Sequence, residues 1–354
     1  MKLAITGGAG FIGSNFVRYM LREHPTYSIL NLDSLTYSGN LKNLSNVLAN
    51  PRHEFLKADI CDRDVVARAL AQGVDAVVHF AAESHVDRSI LDGSVFVQTN
   101  VLGTQCLLEA ARQAGIGRFV HVSTDEVYGS APGAQKFRED SPLNPSSPYA
   151  ASKAASDLVA RAYFQTYHFP VIVTRCSNNF GPYQFPEKFI PLLISRAIED
   201  QSIPIYGDGL QVRDWIFVQD HCRALDAVLH RGREGEIYNI GGGNEWPNVD
   251  IARHILDLLR KPHALMKYVQ DRPGHDRRYS VDSAKIETEL GWKPEMAFAQ
   301  GLAGTIDWYV NNAVWRKRVQ NQAYRSYYAE QYEQRDETLK KIQNPGGVAR
   351  CVSS

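Results

Sequence analysis

The sequence predicts a Rossmann-type α/β fold, a doubly wound parallel sheet with a smaller C-terminal substrate-binding lobe. Through the first 175 residues, short apolar runs alternate with segments of helical period. A glycine-rich turn joins the first run to the first helical segment, and after about residue 178 Gly, Pro and aromatic residues become frequent. Buried strands alternating with helices are typical of a parallel sheet. The irregular remainder favours a lobe over the carboxyl ends of the strands, where ligands bind in such folds.

Each apolar run predicts a strand and each segment of helical period predicts a helix. The predicted strands cover residues 2–6, 28–33, 54–57, 76–80, 118–123 and 171–175. The predicted helices cover residues 11–23, 62–71, 95–114, 149–167, 191–199, 221–230 and 249–259.

The same pattern predicts the domain organisation. Residues 1–177 are assigned to the Rossmann domain, with some later segments returning to it, and residues 178–315 mainly to the lobe. Residues 316–354 form a polar C-terminal tail, and the last stretch, 344–354, is expected to be disordered or an added segment.

Composition excludes several classes of protein. Lys+Arg and Asp+Glu both number 39, so no excess positive charge favours a nucleic-acid partner. The five cysteines are scattered without a C-x-x-C pair, which is typical of free thiols in a reducing compartment. The eleven histidines show no ligand spacing such as H-E-x-x-H, so no metal is predicted. No run of 18 apolar residues and no signal-peptide pattern is present, which favours a soluble cytoplasmic protein without a membrane partner.

A dinucleotide motif follows the first strand. Gly7, Gly10 and Gly13 form G-x-x-G-x-x-G where the first helix begins. Such glycines permit a tight turn and close approach of the backbone to a pyrophosphate at a helix N-terminus. Asp33 ends the second strand, about 20 residues further on, where a carboxylate accepts hydrogen bonds from the adenosine ribose and repels a 2′-phosphate. The motif therefore predicts NAD rather than NADP.

Two later strand ends extend this predicted site. Asp59 and Ile60 follow the third strand and are candidates for contacts to the adenine. The run Ala81, Ala82, Glu83 and Ser84 follows the fourth strand, with small residues where backbone approaches a ligand. Ordinary turn chemistry explains the alanines equally well.

Tyr149 and Lys153 lie four residues apart at the start of a predicted helix, so both side chains are on one face. A phenol titrates near 10, too high for a base at neutral pH. A lysine ammonium one turn away is expected to lower the pKa of Tyr149. The pair is then a base for a sugar hydroxyl whose carbon is oxidised by the nicotinamide.

Thr124, Asp125 and Glu126 stand at the carboxyl end of the central strand 118–123. Thr124 supplies the hydroxyl expected beside the tyrosine base. Oxidation at sugar C4 acidifies the C5 proton, which a carboxylate such as Glu126 can remove. The C6 hydroxyl needs a proton in order to leave, and Asp125 can supply it if burial and its neighbour keep it neutral. A helix cap or a solvated pair is the simpler structural explanation for the two acids.

The sequence resembles the extended short-chain dehydrogenase/reductases and, within them, the dTDP-glucose 4,6-dehydratases. The resemblance runs from about Lys2 to Tyr309, and the polar tail departs from it. It rests on the segments TGGAGFIG, LTYSGN, AAESHVDRSI, TNVLGT, STDEVYG, SPYAASKA, RCSNNFGPYQFPEK, IYGDGLQVRDWIFVQDH, YNIGGGNE and DRPGHDRRY.

The resemblance implies a lyase of nucleotide-sugar metabolism and deoxysugar biosynthesis. Such an enzyme dehydrates dTDP-glucose to dTDP-4-keto-6-deoxyglucose with NAD, by C4 oxidation, loss of water across C5–C6 and reduction at C6. It also implies a homodimer formed by the helices 95–114 and 149–167. The further NAD contacts that it implies are Phe11, Ile12, Ser34, Leu35, Thr36, Thr99 and Asn179. The implied substrate contacts are Ser84, Thr124, Asn178, Lys188, Phe189, Pro204, Ile205, Tyr206, Arg213, Asn248, Asp271, Arg272, Pro273, Gly274 and His275.

Three alternatives stay open at this point. A UDP-sugar 4-epimerase or decarboxylase shares the glycines, Tyr149 and Lys153 but has no need of Asp125 and Glu126. A UDP-glucose 4,6-dehydratase keeps the same chemistry and differs only in the base it recognises. A non-catalytic NAD-binding protein is less favoured, because such proteins usually lose a catalytic residue.

Overall fold

The computed structural model describes residues 1–343, so the expectation for residues 344–354 lies outside the described part of the chain. The strands are β1 (Lys2–Thr6), β2 (Ser28–Asp33), β3 (His53–Lys57), β4 (Ala76–His79), β5 (Arg118–Thr124), β6 (Val171–Cys176), β7 (Asn178–Phe180), β8 (Ile203–Tyr206), β9 (Val212–Phe217), β10 (Ile237–Ile240), β11 (Glu245–Pro247) and β12 (Met266–Val269).

The helices are α1 (Phe11–Glu23), α2 (Arg63–Leu70), α3 (Val86–Leu91), α4 (Ser94–Phe96), α5 (Thr104–Gln113), α6 (Pro148–Tyr167), α7 (Phe189–Ile198), α8 (Val218–Arg231), α9 (Asn248–Leu258), α10 (Ala284–Leu290), α11 (Phe298–Asn311), α12 (Ala313–Val319), α13 (Gln322–Tyr328) and α14 (Arg335–Gln343). A π-helical stretch, Val97–Gly103, joins α4 to α5. Every predicted strand and helix overlaps an observed one. Within residues 1–343, no helix is both long and apolar enough to cross a membrane.

Seven parallel strands form the main sheet in the order β10-β6-β5-β4-β1-β2-β3. The chain therefore reverses its direction of travel across the sheet between β1 and β4. At such a point the loops after the two strands diverge and leave a crevice at their carboxyl ends. The predicted Rossmann-type fold is confirmed, and β10 is a later segment that returns to the first domain.

Helices cover both faces of this sheet. Side chains of β1 alternate between the faces, because successive residues of a strand point in opposite directions. Leu3 packs in a core with Phe16 of α1, and the next residue, Ala4, packs in a second core with Leu107 of α5. Burial on both faces explains why the strands are continuously apolar rather than alternating.

The lobe contains a three-stranded sheet (β11-β9-β7) and a two-stranded sheet (β12-β8). Their core includes Leu193 of α7, Trp215 of β9, Ile255 of α9 and Leu302 of α11. This core is separate from the two cores of the main sheet, which supports a distinct lobe. The domain bounds at residues 177/178 and 315/316 stay a prediction.

The segment predicted as a polar tail is helical in its described part. Tyr324, Tyr327, Tyr328 and Tyr332 follow one another at helical spacing through α13 and the turn after it, and the Tyr324 hydroxyl donates to the carbonyl oxygen of Pro186 at 3.3 Å. These tyrosines bury an aromatic face against the lobe. The many Arg, Gln and Glu residues around them made the segment look like a solvated tail.

Candidate active site

The turn between β1 and α1 leaves no room for side chains. Gly7 has φ +72°, and a Cβ there would lie 2.6 Å from the backbone nitrogen of Ala81. A Cβ on Gly13 would lie 2.3 Å from the carbonyl oxygen of Gly7. Gly10 stands at the N-cap of α1, where no side chain caps the first backbone N–H groups. The turn is therefore a cradle for an anion at a helix N-terminus, as the glycine spacing predicts.

Asp33 at the end of β2 holds this turn in place. Its Oδ1 accepts from the backbone N–H of Leu35 at 2.8 Å and its Oδ2 from that of Ala9 at 2.9 Å. Burial raises the pKa of Asp33, and these two backbone hydrogen bonds lower it in part. A carboxylate has about four acceptor positions, so both oxygens can still accept from ribose hydroxyls.

One cleft at the crevice between β1 and β4 collects nearly all residues predicted for the dinucleotide. Leu35 does not line it, because its positive φ of 56° turns the chain and its side chain packs against the core beside α1. The predicted residues that line the cleft are Gly7, Gly10, Phe11, Ile12, Gly13, Asp33, Ser34, Thr36, Asp59, Ile60, Ala81, Ala82, Glu83, Ser84, Thr99, Tyr149, Lys153 and Asn179.

The residues predicted to carry the chemistry also line this cleft. β5 ends at Thr124, and the acids Asp125 and Glu126 open a 3-10 turn directly after it. On α6, Ser147 caps the helix by accepting from the backbone N–H of Ala150 at 3.1 Å, and a proline occupies the first turn. This fixed helix start places Tyr149 and Lys153 one turn apart, facing the end of β5.

Asp125 has the properties of an acid. It is 2% exposed, and its Oδ2 has no hydrogen-bond partner within residues 1–343. Burial raises the pKa of Asp125 well above its usual value, and the charges of Glu126 and Asp214 raise it further. The raised pKa favours the protonated carboxyl group, which can donate a proton into the cleft, as the sequence analysis expected.

Glu126 lies among cations. Burial raises the pKa of Glu126, while Arg272, Lys188 and Arg213 lower it in part. Its Oε2 is buried without a hydrogen-bond partner in the described part of the chain. A carboxylate with a raised pKa and a free oxygen is suited to removing a proton from a ligand.

The expectation that Lys153 lowers the pKa of Tyr149 is wrong, because the surrounding protein raises this pKa instead. Burial and the charge of Glu126 raise the pKa of Tyr149 well above 10, and a hydrogen bond with Thr124 lowers it in part. Lys153 points its Nζ to the carbonyl oxygen of Val122, at 2.9 Å. Burial also lowers the pKa of Lys153 to about 8. The Lys153 side chain thus hydrogen-bonds with the backbone of β5 rather than with the Tyr149 phenol.

A second cavity under the lobe meets the first cleft at Glu126, Asn178 and Lys188. The predicted substrate residues that line it are Asn178, Lys188, Phe189, Pro204, Tyr206, Arg213, Asn248, Arg272 and His275. Ser84 and Thr124 line the adjoining cleft instead.

Four residues predicted for the substrate line neither cavity. Ile205 lies between Pro204 and Tyr206 on β8, so strand alternation turns it into the lobe core, where it is fully buried. The other three belong to one turn, 271–274, whose Asp271 binds His275 Nδ1 at 2.6 Å. In that turn a Cβ on Gly274, at φ +62°, would lie 2.6 Å from a backbone oxygen, and nothing in the structure explains a ligand role for Pro273.

The second cavity carries positive charge and free polar atoms. Arg213, Arg272 and Lys188 all reach it. The Nε of Arg272 and the Oδ1 atoms of Asn178 and Asn248 are buried without hydrogen-bond partners among the residues that the structure describes. Each such atom costs about 1–3 kcal/mol unless a ligand satisfies it. Asp87, Glu126 and Glu187 also line the cavity, so its three cations face three carboxylates, and the free polar atoms indicate a polar ligand.

Sequence reasoning missed part of this cavity. Asp87 accepts from the Tyr206 hydroxyl at 3.1 Å and from Arg272 at 3.4 Å, and its position after β4 could have indicated it. Tyr332 stacks on Tyr206 with ring centroids 5.7 Å apart, and no local pattern indicates that contact. The cavity residues that were not predicted are His85, Val86, Asp87, Glu187, Leu192, Trp215, Tyr279 and Tyr332, while Glu126, predicted for catalysis, lines the cavity as well. In the first cleft they include Ser38, Gly39, Gln184 and Phe185.

The glycine cradle at a parallel-sheet crevice, with Thr124, Tyr149 and Lys153 at its far end, defines an extended short-chain dehydrogenase/reductase. Residues 4–305 match the sequence model of the family described as GDP-mannose 4,6 dehydratase. The chain belongs to the dTDP-glucose 4,6-dehydratase family.

Similar proteins support that membership. The dTDP-glucose 4,6-dehydratase of Streptomyces niveus is 52% identical, over 89% of this chain and 94% of its own. That of Neisseria meningitidis serogroup B is 51% identical, over 92% of this chain and 97% of its own. The solved dTDP-glucose 4,6-dehydratase of Streptomyces venezuelae, with NAD bound, is 54% identical with a TM-score of 0.88, over 90% of this chain and 100% of that chain.

The comparisons also bear on two earlier expectations. UDP-sugar 4-epimerases with the same fold are only 27% to 30% identical, so the epimerase alternative is not favoured. The dTDP-glucose 4,6-dehydratase of Shigella flexneri aligns with 95% of this chain, so the similarity extends past Tyr309. The tail is therefore not a departure from the family throughout its length.

Proposed function

We propose that this protein converts dTDP-glucose into dTDP-4-keto-6-deoxyglucose with NAD as its bound cofactor. The observation that carries the proposal is the pair Asp125 and Glu126 beside Tyr149, the first with a pKa raised by burial and neighbouring carboxylates and the second lying among cations. An enzyme that only oxidises or epimerises C4 has no use for both acids. The Streptomyces venezuelae relative, solved with NAD, supports the cofactor.

The first cleft has the features that NAD requires. The cradle at Gly7 and Gly13 admits a pyrophosphate, Asp33 suits the adenosine ribose, and Lys153 is placed for the nicotinamide ribose. NAD supplies a reversible two-electron acceptor whose oxidised ring carries a positive charge. Because Asp33 is anionic and buried against the turn, a 2′-phosphate would be repelled there.

The side chains divide the proton transfers among them. Tyr149 takes the proton of the C4 hydroxyl as that carbon is oxidised. Glu126 removes the C5 proton, which the C4 ketone acidifies, and later returns it to C5. Asp125 protonates the C6 hydroxyl, which leaves as water. The roles of Glu126 and Asp125 follow from the charge states described above, and the role of Tyr149 from its position in the cleft beside Thr124.

After one cycle Tyr149 has gained a proton and Asp125 has lost one. The Thr124 hydroxyl interacts with both, since it donates to Asp125 Oδ1 at 3.3 Å and its interaction with Tyr149 lowers the pKa of that phenol in part. If the Tyr149 proton moves to Thr124 and the Thr124 proton moves to Asp125, both Tyr149 and Asp125 return to their starting protonation states. Thr124 is therefore placed as a proton relay as well as a contact for the C4 hydroxyl.

Mass spectrometry of the reaction tests the function directly. The purified protein is mixed with dTDP-glucose, first without and then with added NAD. Loss of one water from the sugar nucleotide is the expected result, and loss without added NAD shows that the cofactor stays bound. If dTDP-glucose is unchanged in both cases while UDP-glucose is dehydrated, the proposed base preference is wrong; if neither reacts, the dehydratase proposal is wrong.

The sugar nucleotide is proposed to lie in the second cavity, its diphosphate between Arg213 and Arg272. Replacing Arg272 with Gln is expected to raise KM about 10- to 100-fold, as loss of a charged hydrogen bond does. Burial raises the pKa of Glu126 and Arg272 is foremost among the cations that oppose this. The acid limb of kcat should therefore move to higher pH in Arg272→Gln, because Glu126 must be ionised to act.

Steady-state kinetics over a range of pH check this prediction. Arg277→Gln is the matched control, since Arg277 is nearby but 54% exposed and paired with Asp208 at the surface. A KM for Arg272→Gln equal to that of the control would contradict the proposed diphosphate contact.

We also propose a homodimer formed by α6 and the helix that continues from the π-helical stretch into α5. Val97, Leu102 and Leu158 are each more than half exposed on these neighbouring helices. Monomers seldom leave large apolar side chains clustered in water. A second copy related by a two-fold axis covers the same face on both partners.

Replacing Leu158 with Asp is expected to produce a monomer, because a charge would then be buried in the proposed interface. Sedimentation velocity of the variant and the wild type measures this. Leu258→Asp is the control, since Leu258 is 47% exposed on α9, away from the proposed interface. A wild-type monomer, or a Leu158→Asp dimer as stable as the wild type, would contradict the interface.

A cytoplasmic location is proposed as well. Cys61, Cys106, Cys176 and Cys222 are free thiols, which supports a reducing compartment. Cell fractionation followed by immunoblotting tests this, and recovery outside the cytoplasm would contradict it.

A further inference from the structure

A cluster of two histidines and one aspartate lies where α1 ends against α8. His24 Nε2 and His230 Nδ1 each lie 2.9 Å from Asp226 Oδ1. The three potential ligand atoms are all within 4.8 Å of one another. Asp226 and His230 are one turn apart on α8, and His24 directly follows α1. The sequence analysis predicted no metal because the histidines show no ligand spacing such as H-E-x-x-H, and His24 is about 200 residues away from the other two.

Two tyrosines fix the orientation of this cluster. The Tyr19 hydroxyl donates to Asp226 Oδ2 at 3.1 Å, which leaves Oδ1 facing both imidazoles. The Tyr27 hydroxyl lies 2.9 Å from His230 Nε2, the nitrogen on the far side of that ring. The Tyr27 ring also stacks on His24 with centroids 4.6 Å apart. Metal-binding histidines and carboxylates have outer partners of this kind.

We propose that His24, Asp226 and His230 bind a divalent transition metal ion of the Zn²⁺ type. Two imidazoles and a carboxylate suit this class of ion, which prefers a tetrahedral site. Zinc–ligand bonds of about 2.0–2.1 Å require ligand atoms about 3.3 Å apart. Each nitrogen therefore needs to move only a few tenths of an ångström from Asp226, but the two imidazoles stack with centroids 5.0 Å apart and an interplanar angle of 23°, so one ring must also rotate for both nitrogens to face one ion.

Metal binding is compatible with the protons of the cluster. His230 Nδ1 also lies 2.9 Å from the carbonyl oxygen of Asp226, so it carries a proton when no metal is present. A hydroxyl can donate or accept, so Tyr27 can bond Nε2 in either tautomer of His230. The proton can thus shift to Nε2 without leaving the ring.

The ion would join two helices of the Rossmann domain. The three side chains are 18% to 30% exposed, which leaves the fourth position open to water. None of them lines the two cavities of the active site. The site is therefore structural and independent of the proposed function. A ligand that binds the folded chain raises its unfolding temperature.

Calorimetric titration of ZnCl₂ into the full-length, tag-free, metal-stripped protein tests the proposal. One equivalent is expected to bind the wild type, and His230→Ala should bind it more than tenfold more weakly. Tyr27→Phe should weaken binding about tenfold, the lower end of the effect of removing an outer partner. His263→Ala is the matched control, because His263 Nε2 contacts Asp257 at 2.7 Å in a pair without a third ligand.

Two further measurements keep the test decisive. Co²⁺ bound to the wild type should give the visible absorption of a low-coordinate site, which needs no variant that might misfold. Zn²⁺ should raise the unfolding midpoint of the wild type and of His263→Ala but not of His230→Ala. The proposal is overturned if Zn²⁺ binds the wild type and His230→Ala with equal affinity, or if the wild type shows no saturable binding. Dehydratase activity after chelation should be unchanged, since the site lies away from the cleft.

Discussion

Replacing Tyr149 with Phe is expected to slow oxidation of the sugar by about 10²–10⁴-fold, the contribution typical of a positioned general base. The variant keeps the ring that packs edge-on against Phe96, with centroids 6.2 Å apart, so the fold should be retained. What is lost is the oxygen that takes the C4 proton and bonds with Thr124. Single-turnover absorbance of the reduced nicotinamide after substrate addition measures this step alone.

Tyr163→Phe is the matched control for that experiment. Tyr163 lies on the same helix, but its hydroxyl donates to Glu109 at 3.2 Å, away from the cleft. It should oxidise substrate at the wild-type rate. If Tyr149→Phe does so too, another group must act as the base and the assignment fails.

The pKa of Tyr149 adds a pH dependence to the same prediction. Burial first, and then the charge of Glu126, raises this pKa well above 10. Since the base must lose its proton, the rate of the oxidation step should increase with pH across the neutral range. A positively charged nicotinamide ring beside the phenol would lower the pKa of Tyr149 and so limit the increase of the rate with pH. A rate independent of pH would indicate that proton removal does not limit this step.

The sequence predicts most of the first cleft because its residues follow strand ends. Carboxyl ends of parallel strands meet at one edge of the sheet, so Gly7, Asp33, Ala81 and Thr124 could be placed together without a structure. Tyr149 joined them through its helix-start signal. Local sequence patterns of this kind are enough to place these residues in the fold.

The second cavity is less predictable because it is assembled from distant segments. Tyr332 stacks on Tyr206 across more than a hundred residues, and Asp87 pairs with Arg272 across a similar gap. Nothing local in one sequence specifies either contact. The pKa of Tyr149 could not be predicted for a related reason. It depends on the burial of the phenol and on the direction of the Lys153 side chain, and the spacing of residues in the sequence reveals neither.

Replacing Glu126 with Gln is expected to stop the reaction after oxidation. The reduced nicotinamide should form at about the wild-type rate and then persist, while loss of water falls by about 10²–10⁴-fold. The amide has nearly the same shape but cannot accept the C5 proton. Stopped-flow absorbance follows the first step, and mass spectrometry of quenched samples follows the loss of water.

Asp125→Asn is the comparison that separates the two acids. Both variants should lose little water, since one lacks the base and the other the acid. In deuterated solvent, Asp125→Asn should still exchange the C5 proton of bound substrate, because Glu126 remains to remove it, whereas Glu126→Gln should exchange none. Equal exchange in both variants would contradict the separate roles.

One electrostatic side effect must be separated from the loss of the base. Burial and then the charge of Glu126 raise the pKa of Asp125, so Glu126→Gln also lowers that pKa. A less protonated Asp125 would by itself slow the departure of water, and lowering the pH would then restore it. Loss of a base is not restored by acid. Glu126→Gln should therefore stay blocked as the pH falls, and recovery of water loss at low pH would show that Glu126 acts mainly by keeping Asp125 protonated.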